Sequence, residues 1–324
     1  MGHDTTRLPS YADLPVKPGA PAGSAWGLFG DDDQLGCLNL LTPERVVAAA
    51  KLVRKGAVFP LSLRMDEPNP PLFGRGAPRV HLEEIGAGVA RDDYIDNFWP
   101  QASSQWDSLR HILHPRDGFY NGVKAEEVVA GGGKLGIENM ATRGIVGRGV
   151  LLDVARHLGQ AGSPLDYASS ALITKDMLSA CANAQGVTIQ TGDILIIRTG
   201  WLNWYLNEAT NEQKQEMAGD AMTHLRFPGI GPDEDMASYL WDLHVAAVAA
   251  DNPALEAWPP GPDSGGFLHF RLIPLLGMNI GEFWYLEDLA ADCATDGVYE
   301  FMLTSAPLNI PGGVGSPPNA LAVK

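Results

Sequence analysis

The chain has 324 residues, 45% of them hydrophobic, and carries 23 Lys and Arg against 39 Asp and Glu, a net charge of −16. That length and apolar content suffice for a substantial buried core. A field so negative repels phosphate backbones and anionic membranes, which argues against nucleic-acid and membrane partners. The three cysteines, Cys37, Cys181 and Cys293, are too few and too widely spaced for a disulfide framework or a CxxC metal site, and they fit a reducing compartment. No apolar run reaches the roughly 18 residues of a spanning helix, and MGHDTTRLPSYADLP lacks a basic start followed by an apolar core, so a cytoplasmic protein is expected.

Residues 1–25 are rich in Pro, Gly and Ser and predict an extended arm, loose or packed on a neighbour, ahead of one domain over 26–324. "LTPERVVAAAKLVRKG" predicts a helix with Thr42 as cap, Pro43 at its first position, Glu44 near its positive end and Gly56 at its stop. "AVFPLSL" reads as a strand, and the Pro-rich stretch from Glu67 to Pro78 as a loop. "GIVGRGVLLDVARHLG" begins as a strand and ends as a helix, and "ITKDMLSACANAQG" is a helix capped by Thr174. "GDILIIRTGW" and "VAAVAAD" at 245–251 are short buried strands, the second ending on Asp251. "HFRLIPLLG" is ambiguous between helix and strand, "YEFMLTSAPL" is a late strand, and "GGVGSPPNALAV" is a Gly/Pro-rich tail. Short buried strands mixed with helices predict an α/β protein.

"SSQWDSLRHILHP" concentrates the chemistry. In an extended segment Gln105 and Asp107 share a face; if a helical turn follows, Asp107 also meets His111, four residues on. A carboxylate beside an imidazole fixes its tautomer and raises its pKa, as a general acid/base requires, and the Asp can equally ligate a metal. A surface Asp–His pair meets the same spacing. His114, just before Pro115, suits a structural role. His269 and Glu282 flank the apolar "FRLIPLLGMNIG", where polar ends need partners or a function. Asp251, at a strand's end and followed by Asn252-Pro253, is either a site residue or a turn former. No phosphate loop, GxSxG elbow or HExxH occurs.

"WGLFGDDDQLGCLNLLTPE", "SQWDSLRHILHPRDGFYNG", "GIVGRGVLLDVAR", "GDILIIRTGW", "AAVAADNPALEAWP", "LHFRLIPLLGMNIGEFWYLEDLA" and "YEFMLTSAPLNIPGGVGSPPNALAV" together resemble the cyclase family that includes bacterial kynurenine formamidase, isatin hydrolase and trans-dienelactone hydrolase. The resemblance implies a three-layer β/β/α swivelling domain, usually oligomeric, here a homodimer or homotetramer. It also implies hydrolysis of a small lactone, amide or cyclic imide with Zn²⁺ or Mn²⁺. The family's HxGTHxDxPxH signature aligns its Asp with Asp107 and its last His with His111. Gln101 and Gln105 then stand at its first two His positions, Ser103 and Ser104 at Gly-Thr, and Leu109 at Pro. His269 and Glu282 fall near the later His and Glu.

Glutamine offers only a neutral amide oxygen, so a two-metal site is not expected. The resemblance leaves one divalent metal on Asp107, His269 and Glu282, with help from Gln105 or His111, or no metal at all. The expected reaction uses metal-bound water as nucleophile, His111 as general acid/base and Gln105 to orient water or substrate. Trp106, Phe119 and Tyr120 would wall the pocket of a small-molecule substrate. The alternatives are a metal-free cyclase, isomerase or lyase using Asp107, His111 and Glu282, and a non-catalytic small-molecule binder.

Overall fold

The computed structural model describes residues 8–260 and 266–324. Its frame is a nine-stranded mixed sheet. Four central strands run parallel, in the order Ile145–Asp153, Ile194–Arg198, Ala247–Ala250 and Asn279–Glu282. Val150–Leu152, Ile194–Ile197 and Ala247–Ala250 within them are continuous apolar runs, and a parallel strand covered on both faces needs such a run. Parallel pairing also demands crossovers. Helices Val154–Gln160 and Lys175–Gln185 supply the first, and Trp201–Asn207, Asn211–Met217 and Glu234–Asp242 the second. On one side the sheet continues antiparallel through Glu300–Ser305, Leu321–Val323 and Val58–Pro60. On the other, Gln105–Asp107 pairs antiparallel with Asn279–Glu282, and Gly315–Ser316 closes the edge. Helices and this large curled sheet give the mixed α/β class expected from the sequence.

Local chemistry explains most element ends. The Thr42 hydroxyl accepts from the Arg45 amide at the start of Pro43–Ala50, and Thr174 accepts from Met177 at the start of Lys175–Gln185. The first helix stops at Ala50, short of Gly56, because Lys51 N–H turns back to the Ala48 and Ala49 carbonyls. Gly149 lies directly opposite Phe301, and a side chain there would meet that ring at 2.3 Å, so glycine makes room for the buried aromatic. The "HFRLIPLLG" stretch resolves as the short helix His269–Leu272 and a turn. The Gly/Pro-rich tail supplies two strands, Gly315–Ser316 and Leu321–Val323. The described part of the N-terminal segment packs on its own chain. Trp241 Nε1 donates to the Pro9 carbonyl at 2.9 Å, Tyr11 N–H donates to Asp242 at 2.6 Å, and Ala25 N–H donates to Leu275 at 2.9 Å.

Between Val58–Pro60 and Gln105–Asp107 the chain makes a separate hairpin, Arg79–Ile85 paired with Ala90–Asp96, that joins no other strand among the described residues. Among the described residues no helix is long and apolar enough to cross a membrane. Cys37, Cys181 and Cys293 are buried and unpaired.

Candidate active site

Two antiparallel neighbours build the site. Gln105 lies directly opposite Glu282, and Asp107 opposite Ile280. The two-residue period of a strand turns Gln105, Asp107 and Glu282 to one face. Gln105 Nε2 donates to Glu282 Oε2 across the pair. The chain then turns at Ser108, whose carbonyl accepts the His111 amide at 3.0 Å, and this carries His111 Nε2 to 3.8 Å from Asp107 Oδ2. From the other direction, the short helix His269–Leu272 presents His269, with Nε2 at 3.0 Å from Glu282 Oε1 and 4.0 Å from Asp107 Oδ2. Asp107, His269 and Glu282 are all buried, and one ligand atom from each lies within 4.8 Å of the others.

Glu256 and Arg75 were not expected from the sequence. Glu256 is fully buried; its Oε2 stands 2.8 Å from His269 Nδ1 and its Oε1 accepts the His269 amide at 3.3 Å. A carboxylate on Nδ1 makes that nitrogen a donor and frees Nε2 to face the cluster. Arg75 places its guanidinium over the Phe73 ring at 5.0 Å, donates to the Gln101 carbonyl, and feels the charges of Glu282 and Asp107. Nothing in "NPALEAWP" or the Pro-rich loop marks either residue. Glu256 reaches the site because Leu255 takes a left-handed φ of 59° and Ile230 bridges to Glu256.

Burial sets the electrostatics. Burial would push the His269 imidazole down, but the charge and hydrogen bond of Glu256, joined by Glu282, hold its pKa well above the usual value. Burial and the neighbouring Glu282 charge raise the Asp107 carboxyl well above the normal range, against the pull of His269 and Arg75. His111 is lowered to about 3 by burial and then by the His269 and Arg75 charges, so it is neutral at physiological pH.

The donor set suits a divalent cation. Both Asp107 carboxylate oxygens and the Gln105 amide oxygen are buried with no hydrogen-bond partner among the described residues. Such atoms are costly unless something positive faces them. Two carboxylates and an imidazole, the imidazole backed by a carboxylate, is a common set for Zn²⁺ or Mn²⁺, and Gln105 adds a neutral oxygen.

The aromatic residues expected around the substrate lie elsewhere. Trp106 alternates to the opposite face, where it packs edge-on to Trp284 at 4.9 Å and donates to Ser305 Oγ at 2.9 Å. Tyr120 is fully buried, its hydroxyl 3.2 Å from Asp33 and its ring against Gly277. Phe119 is buried in the same core, with its backbone amide bonded to the Val123 carbonyl. The rings near the cluster are Phe267, stacked on His269 at 4.2 Å, and Phe270, edge-on to Phe267 at 5.5 Å. Both line a cavity of about 520 Å³ with His114, Arg116 and Arg271 on its wall. His114 holds Asp117 at 2.6 Å, and Asp251 accepts from Thr199 and Gly200 to fix the turn after Ile194–Arg198.

The fold and cluster define an α/β protein with a buried carboxylate–imidazole centre near a cavity that Phe267 and Phe270 line together with His114, Arg116 and Arg271. The family profile described as "Putative cyclase" matches residues 54–257. The chain belongs to the cyclase family. A crystal structure of a novel cyclase is 39% identical, superposes with a TM-score of 0.80, and aligns over 93% of this chain and 99% of its own. Isatin hydrolase A from Ralstonia solanacearum (17% identity, TM-score 0.57, 87% and 98% coverage) shares the fold. So does isatin hydrolase A from Labrenzia aggregata bound to benzyl benzoate (16%, 0.55, 86% and 97%). No curated protein matches the chain.

Proposed function

We propose that the protein hydrolyses a small lactone, amide or cyclic imide, using one divalent cation, Zn²⁺ or Mn²⁺, held by Asp107, His269 and Glu282. The observation that carries this reading is Asp107: a fully buried carboxylate, both oxygens unpartnered, placed between His269 and His111. A bound cation would polarise the scissile carbonyl and acidify nearby water.

The protein's own groups supply the rest. His111, neutral and close to Asp107, accepts a proton from the attacking water and returns it to the leaving group. Glu256 holds His269 in one tautomer. Gln105, locked by its donation to Glu282, keeps its amide oxygen as a fixed acceptor for water or substrate. Arg75 offers a permanent positive charge to the oxyanion that forms or to a substrate carboxylate. Phe267 and Phe270 give the cavity an aromatic floor that suits a planar ring, a better candidate wall than Trp106, Phe119 and Tyr120. Three buried, unpaired cysteines favour a reducing, cytoplasmic setting.

The test is turnover of an ester, lactone and imide panel by chelator-treated protein, with and without added Mn²⁺ or Zn²⁺. Metal-restored hydrolysis that Asp107→Ala lacks supports the assignment. A second reading has one observation behind it: Gln101 and Gln105 occupy two expected imidazole positions, leaving Asp107, His111 and Glu282 for metal-free acid/base chemistry. Undiminished turnover in chelator would select it.

A further inference from the structure

Arg75 holds a positive charge beside the centre without an anion of its own. Burial lowers its pKa from the usual value, against the pull of Glu282 and Asp107. Among the described residues its guanidinium makes no ion pair, and its one side-chain hydrogen bond runs from Nη1 to the neutral Gln101 carbonyl. A desolvated guanidinium is costly unless an anion faces it. Glu282 and Asp107 are the carboxylates whose charge reaches it, and both belong to the candidate cation site. With a cation held between them, Arg75 is left without a counter-charge.

The loop that carries it is anchored. Leu72 is buried in an apolar cluster with Trp201, Phe227 and Phe283, the last adjoining Glu282 in sequence. Arg75 N–H donates back to the Leu72 carbonyl at 3.3 Å, and Phe73 between them takes a left-handed φ of 57°. The Phe73 ring lies against the guanidinium at 5.0 Å and stands edge-on to Trp258 at 5.6 Å. Trp258 is edge-on to Phe267 at 5.7 Å, and Phe267 stacks on His269 at 4.2 Å. A run of rings therefore joins Arg75 to the imidazole of the centre. With Nη1 engaged and Phe73 against one face, the edge formed by Nε and Nη2 remains, two parallel N–H donors in one plane.

We propose that this edge of Arg75 recognises a carboxylate on the substrate, so that the protein acts on a planar acid rather than on a neutral ring. The inference rests on the hydrolase reading above and names its substrate class. A carboxylate presents two oxygens in one plane and matches a two-donor edge; the oxyanion formed during hydrolysis is a single oxygen and does not. The substrate ring would lie along Phe73, Trp258 and Phe267, with its carboxylate at Arg75 and its scissile carbonyl at the centre of Asp107, His269 and Glu282. Arg75 is then a specificity-determining residue, which acts on the choice of substrate and takes no part in breaking the bond.

The test is calorimetric binding of benzoate and of its neutral isostere benzamide to the full chain supplemented with Zn²⁺. Benzoate is expected to bind about 10–100-fold more tightly than benzamide, the worth of a charge-assisted two-donor contact. Arg75→Gln should remove that preference while leaving benzamide affinity and the circular dichroism spectrum unchanged. Arg75→Lys, which keeps the charge and loses the fork, should retain only part of it. Where Arg75→Gln fails to fold, Arg75→Lys decides, and an undiminished preference in it overturns the proposal. A wild type without the preference overturns it, and so does a preference that survives Arg75→Gln, whether the carboxylate then sits on the cation or on Arg116 and Arg271 of the neighbouring cavity. Zn²⁺ content of the same samples and turnover of the ester panel report separately on the hydrolase reading. A protein that takes up no Zn²⁺ and hydrolyses nothing refutes that reading, whereas the Arg75 dependence of benzoate binding decides this one.

Discussion

Asp107→Asn separates the metal reading from a purely structural one because its two effects have opposite signs. Asp107 is fully buried, its oxygens have no partners, and burial followed by Glu282 raises its pKa. In chelator, the asparagine removes the repulsion with Glu282 and brings an amide that can donate to it. Relieving one uncompensated buried group is worth about 1–3 kcal/mol. At ~2–4 °C per kcal/mol for a domain of roughly this size, the melting temperature of the variant should lie about 2–12 °C above that of the wild type. Adding Mn²⁺ or Zn²⁺ at about 100 times its Kd stabilises a protein that binds it by about 2.7 kcal/mol. The wild type should therefore rise by ~5–10 °C while the variant stays put. Differential scanning fluorimetry with and without metal reads both effects. Equal metal-induced shifts in the two proteins would refute Asp107 as a ligand, and a less stable variant in chelator would refute the electrostatic argument.

Three further outcomes are expected. Glu256→Gln keeps the shape but removes the charge behind His269, so metal affinity, measured by competition with a chromogenic chelator, should fall about 10–100-fold; unchanged affinity would leave Glu256 only a loop support. Trp106→Ala should cost about 3–5 kcal/mol in urea unfolding, whereas Trp106→Phe should leave metal affinity and KM unchanged, because the ring faces Trp284 and Ser305 away from the site. Lys324, buried, donates to Asp296 at 2.9 Å and lies 2.8 Å from Asp292. Lys324 and then Lys55 hold Asp292 below the usual carboxylate range, and the same lysines hold Asp296 below it despite burial. A depressed carboxylate adds stability above its unfolded pKa, near 4, and loses it as pH falls further. Lys324→Met should thus lower stability at pH 7 and flatten the loss below about pH 4; parallel curves for the two proteins would contradict this.

Much of the frame is legible in residues. Val150–Leu152 and Ile194–Ile197 are unbroken apolar runs that only a strand covered on both faces needs, and Thr42 and Thr174 mark helix starts by a hydroxyl that accepts an amide three residues on. The meeting of Asp107 with His269 and Glu282 is legible only through the family signature, because no local period links residues so far apart in sequence. The place of Trp106 follows from the same alternation: if Gln105 and Asp107 face the site, the residue between them faces the core, as its contacts with Trp284 and Ser305 show. Glu256 and Arg75 carried no signal, since a left-handed Leu255 and an irregular Pro-rich loop bring them in. The hairpin was hidden inside a run of charges, where alternation over "RVHLEEI" and a Gly-Ala-Gly turn was its only mark.

The central claim is that one divalent cation sits among Asp107, His269 and Glu282. Anomalous diffraction at the metal's absorption edge, from crystals of Mn²⁺- or Zn²⁺-loaded protein, addresses it directly. A single peak bonded to those three side chains is the expected result. A loaded, active protein whose peak lies elsewhere, or an active crystal with no peak at all, would contradict it.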